Sequence, residues 1–291
     1  MISFYERVKT EPVIFRKFYC NDLLFTEYTC PLGVGKHELW TECSYFVYIL
    51  KGEKKWFAHE KSWILKAGES AFIKKGAYRL EITDEEEICL LVFFIPDSYV
   101  GRFLDEKSFA MPIQPIPENN CDFFIPIRMN MSLESFYQSV LCYFTQKKPP
   151  QTPLLELKFQ ELLYNILYDP ENAALAAYLY QTRNKPPTLP EIMEANYLHN
   201  LQLKDIACLC NRSLSSFKRD FQSVYGCPPK KWLTEKRIRF ACQMLKNTAK
   251  TISEISFESG FENTTHFCKL FKHGMGKSPL SYRRQPNSPN P

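Results

Sequence analysis

Between Phe15 and Ile95 the apolar and aromatic positions come in short runs: FRKFYC, LLFTEYTC, SYFVYIL, KKWFAH, SWILKA, SAFIKKG, YRLEIT and ICLLVFFI. Turn material separates them, as PLGVGK, KGEK, HEK, AGE, KGA and DEEE. Runs of β-branched and aromatic residues bounded by Gly, Pro and charge predict strands. Their regular spacing predicts a sandwich or barrel over residues 1–97. Residues 98–130 show no period and read as irregular. From Ser132 the spacing becomes helical. Leu133, Phe136, Val140, Leu141 and Phe144 mark one helix, and Leu155, Phe159, Leu162, Leu163 and Ile166 mark the next. Thr152 is a candidate cap for that second helix, and Pro153 suits its first turn. Two roles fit it: covering one face of the sheet, or forming an antiparallel homodimer seam through 152–168. Asp169-Pro170 ends it, and ENAALAAYLYQ predicts a further short helix.

Beyond the polar stretch QTRNKPPTLP a pattern is written twice. FKRDFQSVYGCPPKKW at 217–232 returns as FCKLFKHGMGKSPLSY at 267–282. Phe217 and Phe221 become Phe267 and Phe271, Gly226 becomes Gly276, Pro229 becomes Pro279, and Trp232 becomes Tyr282. Two copies are too few for a solenoid and predict a pair of similar helical subdomains. In the first, LQLKDIACLC places Leu203, Ile206, Ala207 and Cys210 on one face. Asn211 then makes a tight turn, because Asn tolerates the left-handed conformation. Ser213 caps a helix whose Phe217, Phe221 and Val224 face the core and which Gly226 ends. The second subdomain follows suit with Thr251 or Ser253, Gly260, Phe261 and Gly276. Its turn is one residue longer, since Ile206 to Phe217 spans 11 positions and Ile255 to Phe267 spans 12. The linker helix PPKKWLTEKRIRFACQMLKN aligns Leu233, Arg237, Ala241 and Leu245. The expected organisation is a domain over 1–180, a linker over 181–190, a helical domain over 191–285 and a disordered tail over 286–291.

Composition changes this picture in two respects. From Pro186 onward lie 16 of the 37 Lys and Arg but only 8 of the 32 Asp and Glu, a net +8 against −3 for the rest of the 291 residues. A basic helical third on a mildly acidic body predicts a polyanion partner for that third. The eleven cysteines form no CxxC, and the five His fall at no zinc spacing. We therefore expect reduced, structural cysteines, with Cys208 and Cys210 buried in their helix, and no metal or other cofactor. MISFYERVKTEP contains no apolar signal core, and ICLLVFFIP is too short to cross a bilayer. A cytoplasmic protein is expected.

A helix, a tight turn and a second helix with a polar, basic outer face make a helix-turn-helix. Such a face suits DNA. Lys and Arg neutralise phosphates, Arg and Lys reach guanine acceptors, and Thr, Ser and His read neighbouring base edges. Residues 189–285, and above all ISEISFESGFENTTHFCKLFKHGMGKSPLSYR, resemble the DNA-binding domain of the AraC/XylS family of transcriptional regulators. The resemblance implies base reading by Ser215, Lys218 and Arg219 in the first unit and by Thr264, Thr265, His266 and Lys269 in the second. It implies phosphate contacts from Lys230 and Lys272 and an internal salt bridge for Arg237. Asn211 and Ser256 stand where the family usually has small Gly or Ala. Promoter DNA and RNA polymerase are the partners so implied, with activation as the outcome.

In the first half, YILKGEKKWFAHEKSWILKAGESAFIKKGAYRLEI resembles the core of a cupin-like β-barrel, and the run from Tyr45 to Ile82 is most similar to ExsA-type activators of type III secretion genes. The implied fold is α+β in two domains, a cupin-like barrel with flanking helices followed by an all-α domain with two helix-turn-helix units. The implied regulator is a protein partner, with a small-molecule effector left open. The alternative is a cupin-type enzyme fused to a DNA-binding module. Cupin enzymes use HxH, Glu and a further His, whereas His37 and His59 belong to no such pair and no Ser/His/Asp or Cys/His group is legible. No catalytic residue is expected.

Overall fold

A computed structural model describes residues 2–58, 61–82, 87–106, 123–146, 148–184 and 187–284. His59, Cys121 and the tail from Pro286 lie outside the described residues. The chain divides into two units between Pro187 and Thr188.

The first unit contains the strands β1 (Ile2–Ser3), β2 (Arg16–Cys20), β3 (Leu23–Thr29), β4 (Gly35–Thr41), β5 (Ser44–Lys51), β6 (Glu53–Ala58), β7 (Lys61–Lys66), β8 (Ser70–Ile73), β9 (Gly76–Ile82), β10 (Cys89–Ile95) and β11 (Phe124–Ile127). Its helices are α1 (Phe4–Thr10), α2 (Asp97–Glu106), α3 (Met131–Thr145), α4 (Thr152–Leu167) and α5 (Ala173–Asn184). The strands form two stacked sheets, ordered β1-β4-β9-β6-β7 and β11-β8-β5-β10-β3-β2, rather than one closed hydrogen-bonded ring. The sheets pack face to face and do not close into the barrel expected from the sequence.

The six-stranded sheet is a middle layer, which explains the unbroken run in β10. Phe93 pairs with Phe46 on β5 and Phe25 on β3. Leu91, Phe93 and Ile95 pack with α2 to α5 on one face. Leu90, Val92 and Phe94 join residues of both sheets on the other. A strand buried on both faces has no polar side to alternate with. The space between the sheets is filled by rings, among them Phe4, Tyr28, Tyr45, Trp56, Tyr78 and Phe94. Tyr45 and Tyr78 join their phenol oxygens across it at 2.6 Å, and burial pushes both phenols above their usual pKa.

Several expectations shift. Residues 4–10, expected to lie among strands, form α1: Ser3 accepts from Glu6 N at 3.1 Å, and Phe4 and Val8, one turn apart, are buried. The stretch expected to be irregular opens with α2, whose Tyr99, Val100, Phe103 and Leu104 are buried. β4 occupies GKHELWT, part of which reads as turn material in sequence. Gln151 stands at the cap position of α4 without a side-chain bond, and Thr152 is its first helical residue. Leu155, Phe159, Leu162, Leu163 and Ile166 are all packed inside the unit, so these five side chains cover the sheet and are not free to form a dimer seam. Leu154, Leu157 and Tyr168 are exposed along the opposite side of α4. At the expected linker, α5 continues through Asn184, and the next helix opens at Leu189 behind a Thr188–Glu191 capping box.

The second unit consists, among the described residues, of seven helices: α6 (Leu189–Asn196), α7 (Leu203–Leu209), α8 (Leu214–Tyr225), α9 (Pro229–Asn247), α10 (Ile252–Glu258), α11 (Thr264–Met275) and α12 (Pro279–Arg283). Leu233, Ala241 and Leu245 of α9 are buried in the expected row. No helix among the described residues is long and apolar enough to cross a membrane.

Candidate nucleic-acid interface

The two copies are built by the same bonds. In the first, Asn211 turns left-handed at φ 53°, Cys210 N donates to Ile206 O at 3.1 Å and Arg212 N to Ala207 O at 2.9 Å. In the second, Gly260 turns at φ 82°, Ser259 N donates to Ile255 O at 2.9 Å and Phe261 N to Ser256 O at 3.1 Å. These bonds close each preceding helix by satisfying its last carbonyls. Ser213 then caps α8, accepting from Ser216 N, and Asn263 caps α11, accepting from Thr265 N and His266 N. Thr251 caps α10 in a box with Glu254. Gly226 and Gly276 end α8 and α11 in the left-handed region, where a side chain would be strained.

The cores agree equally well. Phe217 and Phe221 are fully buried with ring centroids 5.7 Å apart, and Phe267 and Phe271 are fully buried at 5.6 Å. Trp232 meets Phe221 edge-on at 6.0 Å, as Tyr282 meets Phe271 at 5.5 Å. Val224, expected in the core, is exposed. Tyr225 takes that place, stacking on Phe221 at 4.4 Å. Cys208 is exposed and Cys210 half-buried, against the expectation of two buried thiols. Cys20, Cys43 and Cys242 are buried free thiols.

The inward rows leave the other sides of α8 and α11 to solvent. Ser215, Lys218 and Arg219 are exposed on α8, as are Thr265, His266, Lys269 and Lys272 on α11. Thr264 differs. It is half-buried, and its hydroxyl lies 3.3 Å from that of Ser253 on α10. Lys230 is exposed at the start of α9. Among the described residues the ion pairs of this unit engage Arg212, Arg219, Lys231, Lys236, Arg239 and Lys250. They leave the ammonium groups of Lys218, Lys230, Lys269 and Lys272 uncommitted. Arg237 is turned inward, donating to the carbonyls of Tyr197 and His199 at 2.7 Å each.

A cleft of about 520 Å³ runs between α9 and the start of α11, with Thr234, Thr265, His266 and Lys269 in its wall. Lys230 sits one turn before Thr234, whose hydroxyl donates to its carbonyl, so the two share a side of α9. Sequence reasoning missed Thr234, Asn200 and Glu262 at this cleft. The extra residue in the second turn was its only trace. In the first unit His37 is bonded to Gly33 O at 2.7 Å. Among the described residues no three His, Cys, Asp or Glu side chains converge as metal ligands would.

Comparison with known proteins finds two matched domains. Residues 44–178 match the ExsA N-terminal regulatory domain, and residues 206–285 match a helix-turn-helix domain. The virulence regulon transcriptional activator VirF of Yersinia enterocolitica is 28% identical over 238 residues, covering 81% of this chain and 87% of its own. The transcriptional regulator ExsA of Pseudomonas aeruginosa is 27% identical over 246 residues, covering 82% and 85%. Among solved structures, ToxT of Vibrio cholerae with a bound unsaturated fatty acid is 16% identical with a TM-score of 0.46, covering 91% of this chain and 96% of that one. The relatives with named roles are transcriptional regulators rather than enzymes. The chain holds an ExsA-type N-terminal regulatory domain followed by a twice-built helix-turn-helix domain of the AraC type, and over most of its length it is similar to transcriptional regulators.

Proposed function

We propose that the protein is a cytoplasmic transcription activator that reads two adjacent major grooves, α8 entering one and α11 the other. One observation carries this reading: the copies share cores, turns and caps, yet present different outer faces. Ser215, Lys218 and Arg219 meet the bases of one half-site. Thr265, His266 and Lys269 meet those of the other, with Thr264 holding the start of α11 through Ser253. Lys230 and Lys272 neutralise flanking phosphates. The relatives named as activators support activation as the outcome, which requires contact with RNA polymerase at the promoter. The test is a unit-by-unit exchange of preference on DNA recovered from a random pool. Substituting Lys218 and Arg219 with Ala should relax bases in one half-site only, and substituting Thr265 and Lys269 those in the other. Loss of preference in both half-sites from either pair would refute the division of labour.

The first unit regulates the second through a protein partner. The rings that fill the space between the sheets support this over a small effector held in that space. Thermal shifts against metabolites, set beside capture of a partner from the host, separate the two. Leu154, Leu157 and Tyr168, on the side of α4 turned away from the sheet, supply the surface for a homodimer in place of the five apolar residues committed to the core.

A further inference from the structure

The extra residue in the second turn has a partner. Glu262, absent from the first turn, meets the Asn200 amide, which lies in the loop between α6 and α7. Gly260, two residues earlier, lies under the same loop. A Cβ there would stand 2.7 Å from Leu198 O and 3.0 Å from Arg237 Nε, closer than van der Waals contact permits. Arg237, in the middle of α9, completes the junction. It donates to Tyr197 O and His199 O at 2.7 Å and lies 5.9 Å over the Phe261 ring. Three segments distant in sequence thus converge on one point: the loop before the first helix-turn-helix, the linker helix, and the turn of the second.

Two of these segments lead directly to a recognition helix. The loop leads into Gln202, whose backbone N–H donates to Asp205 Oδ2 at 3.1 Å at the start of α7, and α7 connects to α8 through the closed turn at Asn211. On the other side Phe261 packs on Phe267 of α11 at 5.1 Å. At the first turn Arg212, which follows Asn211 as Phe261 follows Gly260, instead reaches back to Asp220 of its own unit at 3.2 Å.

The geometry points to a latch: Arg237, Gly260 and the Asn200–Glu262 bond are positioning residues that fix the separation of the two recognition helices, and so determine the half-site spacing that the protein accepts. This rests on the reading that α8 and α11 enter two grooves. One added base pair shifts the second half-site by about 3.4 Å and roughly a tenth of a turn, so a fixed pair of helices discriminates spacing steeply and a loosened pair does not.

The test uses the full chain and a set of duplexes carrying both selected half-sites at separations differing by single base pairs. The wild-type protein should bind its preferred separation at least roughly tenfold better than those one base pair shorter or longer, comparable with the effect of one mismatched pair. Arg237→Gln should shrink that ratio to about threefold, with the base preferences inside each half-site unchanged. A role in stability alone would lower melting temperature and leave the ratio intact. Asn200→Ala at a half-buried position and Glu262→Ala at an exposed one each remove that bond and carry the same test should Arg237→Gln fail to fold. A wild-type profile indifferent to spacing, or folded variants that keep the wild-type ratio, would overturn the latch. Absence of any sequence-selective binding by the wild-type chain would instead overturn the underlying reading of two half-sites.

Discussion

Arg219→Ala separates reading DNA from holding the fold. Its side chain is 80% exposed, and its Nε lies 3.6 Å from Asp220 Oδ1. An exposed pair of this kind contributes about 0–1 kcal/mol. Asp220 is not orphaned by the change, because Arg212 Nε remains 3.2 Å from its other oxygen. Alanine is also a good helix former, so the unfolding free energy should move by no more than about 0.5 kcal/mol. On a unit of this size that is a melting shift of at most about 4 °C. Binding should respond differently. A bidentate contact from Arg to guanine discriminates by about 1–3 kcal/mol, which is about 5- to 150-fold in affinity. Fluorescence anisotropy at one fixed salt concentration, on the selected site and on single-base variants of it, measures this directly. The expected result is weaker binding with relaxed preference at one base pair and a melting temperature that moves by no more than about 4 °C. Unchanged affinity and preference in a folded variant would refute the role. A uniform loss across all sequences would turn Arg219 into a phosphate contact.

The other predictions use different readouts. Ser256 is fully buried, its hydroxyl has no hydrogen-bond partner among the described residues, and the first copy has Ala207 at the same place. Ser256→Ala should therefore stabilise the chain by about 1 kcal/mol in denaturant unfolding, and a loss of stability would contradict the packing described. Lys272→Ala should weaken binding alike on all DNA sequences and reduce the slope of log affinity against log salt by about 1. A sequence-dependent loss would reassign it to base reading. Leu157 is 61% exposed, so Leu157→Glu should convert a dimer to a monomer in light scattering without changing the melting curve. A dimer of unaltered strength would place the contact elsewhere.

The helical half was legible in the sequence because its constraints are local. A buried Phe four residues from another, a Gly at a left-handed stop and a Pro opening the next helix each leave a fixed trace at a fixed offset. Twice-written, they identify one another. Val224 misled because the apolar period ran past the end of the core, where Tyr225 stacks instead. Thr264 falls in the base-reading segment by position, yet as the first residue of α11 it turns toward Ser253. In the β half, β10 was plain because both its faces are buried. β4 was hidden because its first four residues, Gly35 to Glu38, are exposed or half-buried and polar. The helices α1 and α2 are short, and α1 buries only Phe4 and Val8. For α4 the period revealed an apolar face but not what covers it, since a sheet and a second copy demand the same spacing. The latch at Gly260 joins residues up to 62 positions apart, and nothing in a local pattern announces such a junction.

Selection of bound DNA from a random pool by the full chain tests most directly that two differently faced recognition helices read one bipartite site. The selected sequences should contain two dissimilar motifs whose centres lie about one helical turn, roughly 34 Å, apart. Recovery of a single short motif, or of no enriched sequence, would contradict it.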